Sequence, residues 1–224
     1  VFTKVSECYS DTVFVANLTD GGEGVKLDSV LGLTMDKLQI SRNSTEPAGI
    51  GTAIRVVGAP AGYVVLRDHN IYNVRDAIRL ETGVSHLIVK EGWTEMFTNY
   101  ITGAWAAFAA VGMLNTDASH FIGSDATHRL FYAESAPAGY DIRKMIVSTS
   151  RITFPSVSAG TALFDASAVN NTVGEQRFAL ERCLWTSTDM IVFKKHASQA
   201  WYYCQVVLSG NTGIPTAALP VHGV

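Results

Sequence analysis

Charge is scarce in this sequence. Lysine, arginine, aspartate and glutamate make up 17% of the 224 residues, while 47% are hydrophobic. An average globular domain carries about 25% charged residues. Much of the surface is therefore uncharged polar or covered by other subunits. No basic run exceeds two residues and the formal net charge is −3, which argues against nucleic acid as a partner. Cysteine is rare too. Cys8, Cys183 and Cys204 are an odd number in a chain of this size; a disulfide scaffold is not expected, and the three read as buried free thiols. No secretion signal is legible, and the sequence opens on Val1 rather than Met, so it reads as a processed chain or a segment of a longer one. The longest uncharged run, residues 96–116, is broken by Thr, Asn, Tyr and Gly and has no Lys/Arg flanks. It reads as a buried core or subunit-contact segment, and membrane insertion is not expected. The triplets at Asn17, Asn43 and Asn170 fit the glycosylation pattern, which matters only in a eukaryotic secreted protein.

Helical periodicity is also nearly missing. Apolar residues at i, i+3 and i+4 form only short runs interrupted by Gly or β-branched residues. What is present instead is a succession of short alternating runs: "DTVFVANL", "DKLQIS", "AIRVV", "YVVLR", "HLIVK", "HRLFYAE", "KMIVS", "RFALE", "MIVFKK" and "YYCQVVL". Each is bounded by Gly, Asn, Asp, Ser or Pro, as short β-strands are.

These runs share a step. "AIR" occurs at 53–55 and again at 77–79, which are 24 residues apart. "YVVLRD" at 63–68 and "HLIVKE" at 86–91 are 23 apart and set Leu66 over Val89, Arg67 over Lys90 and Asp68 over Glu91. "LQISRN" precedes the first of these by 25; "RFALERC" at 177 and "WYYCQVV" at 201 repeat the step of 24. Aligning "IVKEGWTE" with "LERCLWTS" puts Trp93 and Trp185 92 apart, four steps of 23, at equivalent positions. A constant step with two or three short strands in it describes a β-solenoid, in which each strand pairs in parallel with its counterpart one coil away. Ile54 and Val56 then point inward and stack on Ile78 and Leu80, while Arg55 and Arg79 point outward. The pattern is clearest from Gly21 to Gly92. Residues 1–95 are expected to form regular coils and 96–224 less regular coils with hairpin insertions, in one domain. The repeated "APAGY" at 59–63 and 136–140 is turn chemistry at a spacing of 77 that is no multiple of the step. It keeps open an alternative β-sandwich or jelly roll, with hairpins at 52–70, 128–148 and 190–208.

The stretch from 23 to 43, with its Gly-Val-x-Leu opening and its Leu-x-Ile strand ending in Asn43, resembles the right-handed parallel β-helix proteins. So does the stretch from 51 to 93, with its Asn70-Ile71-Tyr72 turn. That family includes pectate-lyase-like enzymes and the tailspikes of tailed bacteriophages. The resemblance is one of coil grammar, so it implies a fold and only indirectly a function. With few charges and no leader, the chain looks most like a tailspike or other virion spike. That likeness implies a homotrimer located on the virion that binds host surface polysaccharide. A polysaccharide hydrolase or lyase is the alternative, and a capsid or spike component without glycan binding the other.

The stacked Asp68 and Glu91 are the one pair of carboxylates the register brings together. Carboxyl groups about 5 Å apart are the arrangement of a retaining glycosidase. With Arg67 and Lys90 beside them, the same letters also describe a solvated face of alternating sign. Glu134, Asp141 and Asp165 follow aromatic residues but have no diagnostic spacing, and read as surface or turn acids. No G-x-S-x-G occurs. His120 and His128 lack metal-ligand spacing, and Asp20 and Glu23 in "DGGEG" read as a turn, with calcium a weak alternative. No cofactor is expected. The aromatic residues Trp93, Trp105, Trp185, Trp201, Tyr202 and Tyr203 are candidates for stacking on sugar rings. The ligand-binding assignment rests on Trp93, Trp185, Trp201 and Tyr202.

Overall fold

In a computed structural model the chain is described at residues 1–4, 6–16, 18, 21–42, 51–104, 107, 110–119, 128–135, 144–154, 162–169, 176–185, 191–194, 196–197 and 204–213. The strands are β1 (Phe2–Thr3), β2 (Cys8–Val15), β3 (Glu23–Asp28), β4 (Gly32–Ser41), β5 (Thr52–Val57) and β6 (Ala61–Arg67). They continue with β7 (Asn70–Leu80), β8 (Val84–Ala104), β9 (Ala110–Ser119), β10 (Arg129–Ser135), β11 (Lys144–Ser148) and β12 (Arg151–Thr153). The last are β13 (Ala162–Asp165), β14 (Gln176–Glu181), β15 (Leu184–Trp185), β16 (Ile191–Lys194) and β17 (Cys204–Ser209). No α-helix occurs among the described residues.

Every pairing among these strands is parallel and joins residues one coil apart, so the chain is a β-solenoid. The registers sort it into three faces. On face A, Phe2, Leu27, Val56 and Leu80 stack in one column, and Val25, Ile54, Ile78, Ile101, Phe131, Phe164 and Phe193 in the next. On face B the column is Cys8, Leu33, Val64, Leu87, Val111, Met145, Phe178 and Val206. On face C, Ile40, Ile71, Thr94, Ala118, Ile152 and Trp185 follow one another. Long strands serve two or three faces by bending at the corners: β8 runs through B, C and A in turn.

The "AIR" register is as read from the sequence: Ile54 pairs with Ile78, Arg55 with Arg79 and Val56 with Leu80. Both isoleucines are buried, and the arginines lie on the outer surface of face A. Alternation sends every second residue of these strands into an apolar core that one coil cannot close alone. The core changes character along the axis. It is aliphatic at Ile54, Ile78 and Ile101 and aromatic further on. There Phe131 stacks on Phe164 at 5.1 Å between centroids, and Phe178 lies 4.4 Å from Phe193. The run 96–116 supplies buried Phe97, Tyr100, Ile101, Val111 and Met113, and no helix among the described residues is long and apolar enough to cross a membrane.

Several expectations are corrected. The sandwich alternative fails because β5 and β6, its first proposed hairpin, lie on different faces, each paired in parallel with other coils. The steps of 23 and 24 hold from 54 to 78 to 101 and from 64 to 87 to 111. They lengthen to 34 from Val111 to Met145 and 33 from Met145 to Phe178. "RFALE" and "CQVVL" are offset by 28 rather than 24, Phe178 pairing with Val206. "LQIS" belongs to face C, where Gln39 pairs with Asn70; face B supplies Met35 as the partner of Leu66. Trp93 is level with Asp117, Arg151 and Leu184, whereas Trp185 is level with Ile152 and Thr94. The two tryptophans are thus one position out of register. The second "APAGY", the triplet asparagines Asn17, Asn43 and Asn170, and Asp20, Trp105, His120, Asp141, Trp201, Tyr202 and Tyr203 lie outside the described residues.

Candidate functional site

The corner between faces B and C is built the same way in every coil. One residue adopts a left-handed backbone: Thr12, Lys37, Asp68, Glu91, Asn115, Thr149, Arg182 and finally Gly210, with φ between 46° and 62°. In the register these residues stack, because each pair of strands flanking the corner is in phase. The left-handed residue turns the strand sharply and is itself exposed. The residue after it points inward: Leu38, His69, Gly92, Thr116, Ser150, Cys183 and Asn211 form a second column. This column caps the corner's backbone. Ser150 Oγ accepts from the Thr116 amide at 3.2 Å and donates to the Ser148 carbonyl at 2.9 Å. Asn211 accepts from the Cys183 amide at 2.8 Å and donates to the Leu180 carbonyl at 2.8 Å. Cys183 is a buried free thiol pushed up by that burial, and Cys8 is a half-buried one.

Asp68 and Glu91, the pair expected from the sequence, are consecutive rungs of the outer column. With Asn70, Trp93, Asn115 and Asp117 they line one hollow of about 350 Å³ that is open to solvent. Trp93 is 42% exposed, and its indole N–H donates to Glu95 at 2.8 Å, so one edge of the ring is fixed. His69 and Gly92 complete the lining. The His69 ring occupies the space beneath Gly92, where a Cβ would overlap it. His69 is buried, bonds the Tyr100 hydroxyl at 2.9 Å through Nε2, and leaves Nδ1 without a partner. Burial pulls its pKa down to about 4 and pushes the Tyr100 phenol up.

Face A handles its acids differently. Glu134 is gripped by both terminal nitrogens of Arg79 at 2.7 and 2.8 Å, Glu23 and Glu81 pair with Arg55, and Asp165 pairs with Arg129 at 2.9 Å. Buried Asp76 is held by Arg75, Arg79 and Asn99. Glu81 is lowered below the usual carboxylate range by Arg55 and then Arg79, and Arg79 is raised by Glu134. These are structural clasps, and they account for Glu23, Glu134 and Asp165. Among the described residues, Asp68, Glu91 and Asn115 have no such partner. His128 is buried against Phe154, with 6.1 Å between ring centroids. No group of three His, Cys, Asp or Glu among the described residues can hold a metal ion.

The outer surface of face B carries a half-buried apolar stripe. Val65, Ile88, Gly112 and Ile146 are successive rungs, and a hollow of about 270 Å³ over Gly112 is lined by Ile88, Leu114, Ile146, His86 and Lys90.

Asn115 and Asp117 were missed in the sequence. Asn115 lies 24 residues beyond Glu91, so the step carried one coil further would have reached it. It sits instead in the uncharged run 96–116, whose composition speaks for the core. No family model, no curated protein and no solved structure matches this chain.

Proposed function

We propose that this chain is the glycan-binding solenoid of a virion spike or tailspike. It binds host surface polysaccharide at the corner between faces B and C and assembles as a homotrimer. One observation carries the reading: an exposed indole with one fixed edge lies in a shallow open hollow beside unpartnered Asp68, Glu91 and Asn115. An indole face suits the C–H face of a sugar ring. Carboxylates and an amide beside it accept and donate to the hydroxyls at the ring's edge. A hollow that is open to solvent and lined by three successive coils admits the middle of a polymer as well as its end. The apolar stripe on face B supports the trimer, since a repeating solenoid can bury such a stripe along its whole length against a copy of itself.

A glycan array probed with the intact protein tests this reading. The protein is expected to retain a limited set of polysaccharides, and Trp93→Ala to weaken that binding about tenfold, as loss of one stacking contact does. Binding to no glycan, or unchanged binding by the variant, overturns it. The release of reducing ends on long incubation, abolished by Asp68→Asn, turns the site from binding to hydrolysis.

A further inference from the structure

We propose that the corner groove selects its ligand by charge: it takes saccharides bearing a free amine in preference to neutral ones and rejects those bearing acid groups. The inference rests on the glycan-binding reading and specifies the chemistry of that site. The chain offers arginine partners to its acids on face A, where Glu23, Glu81, Asp76, Glu134 and Asp165 are each held by Arg55, Arg75, Arg79 or Arg129. At the groove, Asp68 and Glu91 stand on consecutive rungs with no ion pair among the described residues, and Asp117 lies in the same lining. The stacking of coils brings their charges to about one strand spacing, roughly 4.8 Å. Adjacent like charges repel, and a cation placed between them relieves that repulsion. The fourth acid, Glu95, accepts the Trp93 indole N–H, so the ring offers its face and no free donor. An ionised carboxylate accepts hydrogen bonds and cannot donate them. The groove's neutral side-chain donors are the Asn70 and Asn115 amides, which carry no charge to hold a uronate, sialate or sulfate against the Asp68 and Glu91 carboxylates. A sugar ammonium donates three N–H bonds and carries the complementary charge.

Calorimetric titration of the intact protein tests this with three length-matched probes: glucosamine oligomers with free amines, their N-acetylated counterparts, and galacturonate oligomers. At low salt the amine-bearing oligomer is expected to bind about tenfold tighter than the acetylated one, each exposed ion pair contributing up to about fivefold, and the galacturonate oligomer to bind weakest. Added salt narrows the spread, as it does for exposed charges. That measurement needs no variant. Combining Asp68→Asn with Glu91→Gln is expected to bring the amine-bearing and acetylated affinities together. Galacturonate binding as tight as the amine-bearing oligomer overturns the inference, as does an amine preference that persists in the double variant. If charge preference follows the prediction while Trp93→Ala changes nothing, the stacking platform fails and the charge selection stands. If no oligomer binds, both fall.

Discussion

His69 is a titratable group in a place that suits only its neutral form. The ring is buried under Gly92, its Nε2 faces the Tyr100 hydroxyl, and Nδ1 has no partner. Desolvation therefore lowers its pKa to about 4, while in the unfolded chain it returns to about 6.5. Between those two values the unfolded chain binds a proton that the folded one refuses, so stability falls as pH drops through that window and levels off below it. The expected loss is about 3 kcal/mol. His69→Gln keeps a polar partner for Tyr100 and removes the titration. Denaturant midpoints at a series of pH values are expected to fall between pH 6.5 and 4 in the parent protein and to flatten over that window in the variant. An unchanged slope would mean that another group titrates there.

At the scale of the element, the B–C corner and face A solve different problems. The corner needs a left-handed residue in each coil, and the chain supplies Thr, Lys, Asp, Glu, Asn, Arg and only once Gly. A left-handed conformation costs an ordinary residue about 1–2 kcal/mol, and a β-branched one is the least suited to it. Thr149→Gly is therefore expected to raise unfolding stability by about 1 kcal/mol, part of the relief being offset by glycine's freedom in the unfolded chain; equilibrium unfolding in guanidinium measures it. Gly210 already occupies the equivalent place in the last coil. This corner was hidden in the sequence because its residues share a backbone conformation and no side-chain chemistry. What was legible was the inward alternation at Ile54 and Ile78, since burial selects side chains directly. Asp68 and Glu91 were legible as a pair because their flanking strands match at a step of 23. Trp93 and Trp185 were paired wrongly because the intervening coils are 24, 34 and 33 residues long, and lengthened coils break any fixed step. Face A balances its stacked arginines with carboxylates, and the Glu81 shift has a definite sign. A carboxylate held below its ordinary pKa by Arg55 and Arg79 stabilises the fold above the usual carboxylate range, and that contribution disappears as pH falls through its folded value. Arg79→Lys keeps the charge and loses the two-pronged grip on Glu134. It is expected to cost about 1–2 kcal/mol near neutral pH, measured by the same unfolding experiment.

The whole molecule is a stack in which each coil is buried by its neighbours, so stability and assembly both follow the axis. An outward residue on one coil therefore acts as one unit of a long surface. Val65, Ile88 and Ile146 form such a surface on face B, with Lys90 and His86 at its edge and a hollow over Gly112 that a partner's side chain can fill. The groove with its acids lies around the adjacent corner. Packing face B of one copy against another face of the next is a heterologous contact, and the proposed trimer is the case in which three such contacts close into a ring. Ile88→Glu places a charge in the middle of the stripe without touching the core, because Leu87 and Val89 are the buried residues on that strand. The variant is expected to keep the parent's circular dichroism and to sediment at one third of its mass. Binding separates in the same experiment. A short oligomer meets one groove and is expected to bind the variant as it binds the parent. A long polysaccharide bridges several grooves, and its affinity is expected to fall by about a hundredfold or more when the grooves are no longer linked. A parent protein that sediments as a monomer sinks the trimer. A monomeric variant that keeps the parent's affinity for the long polymer shows that one groove alone supplies the binding.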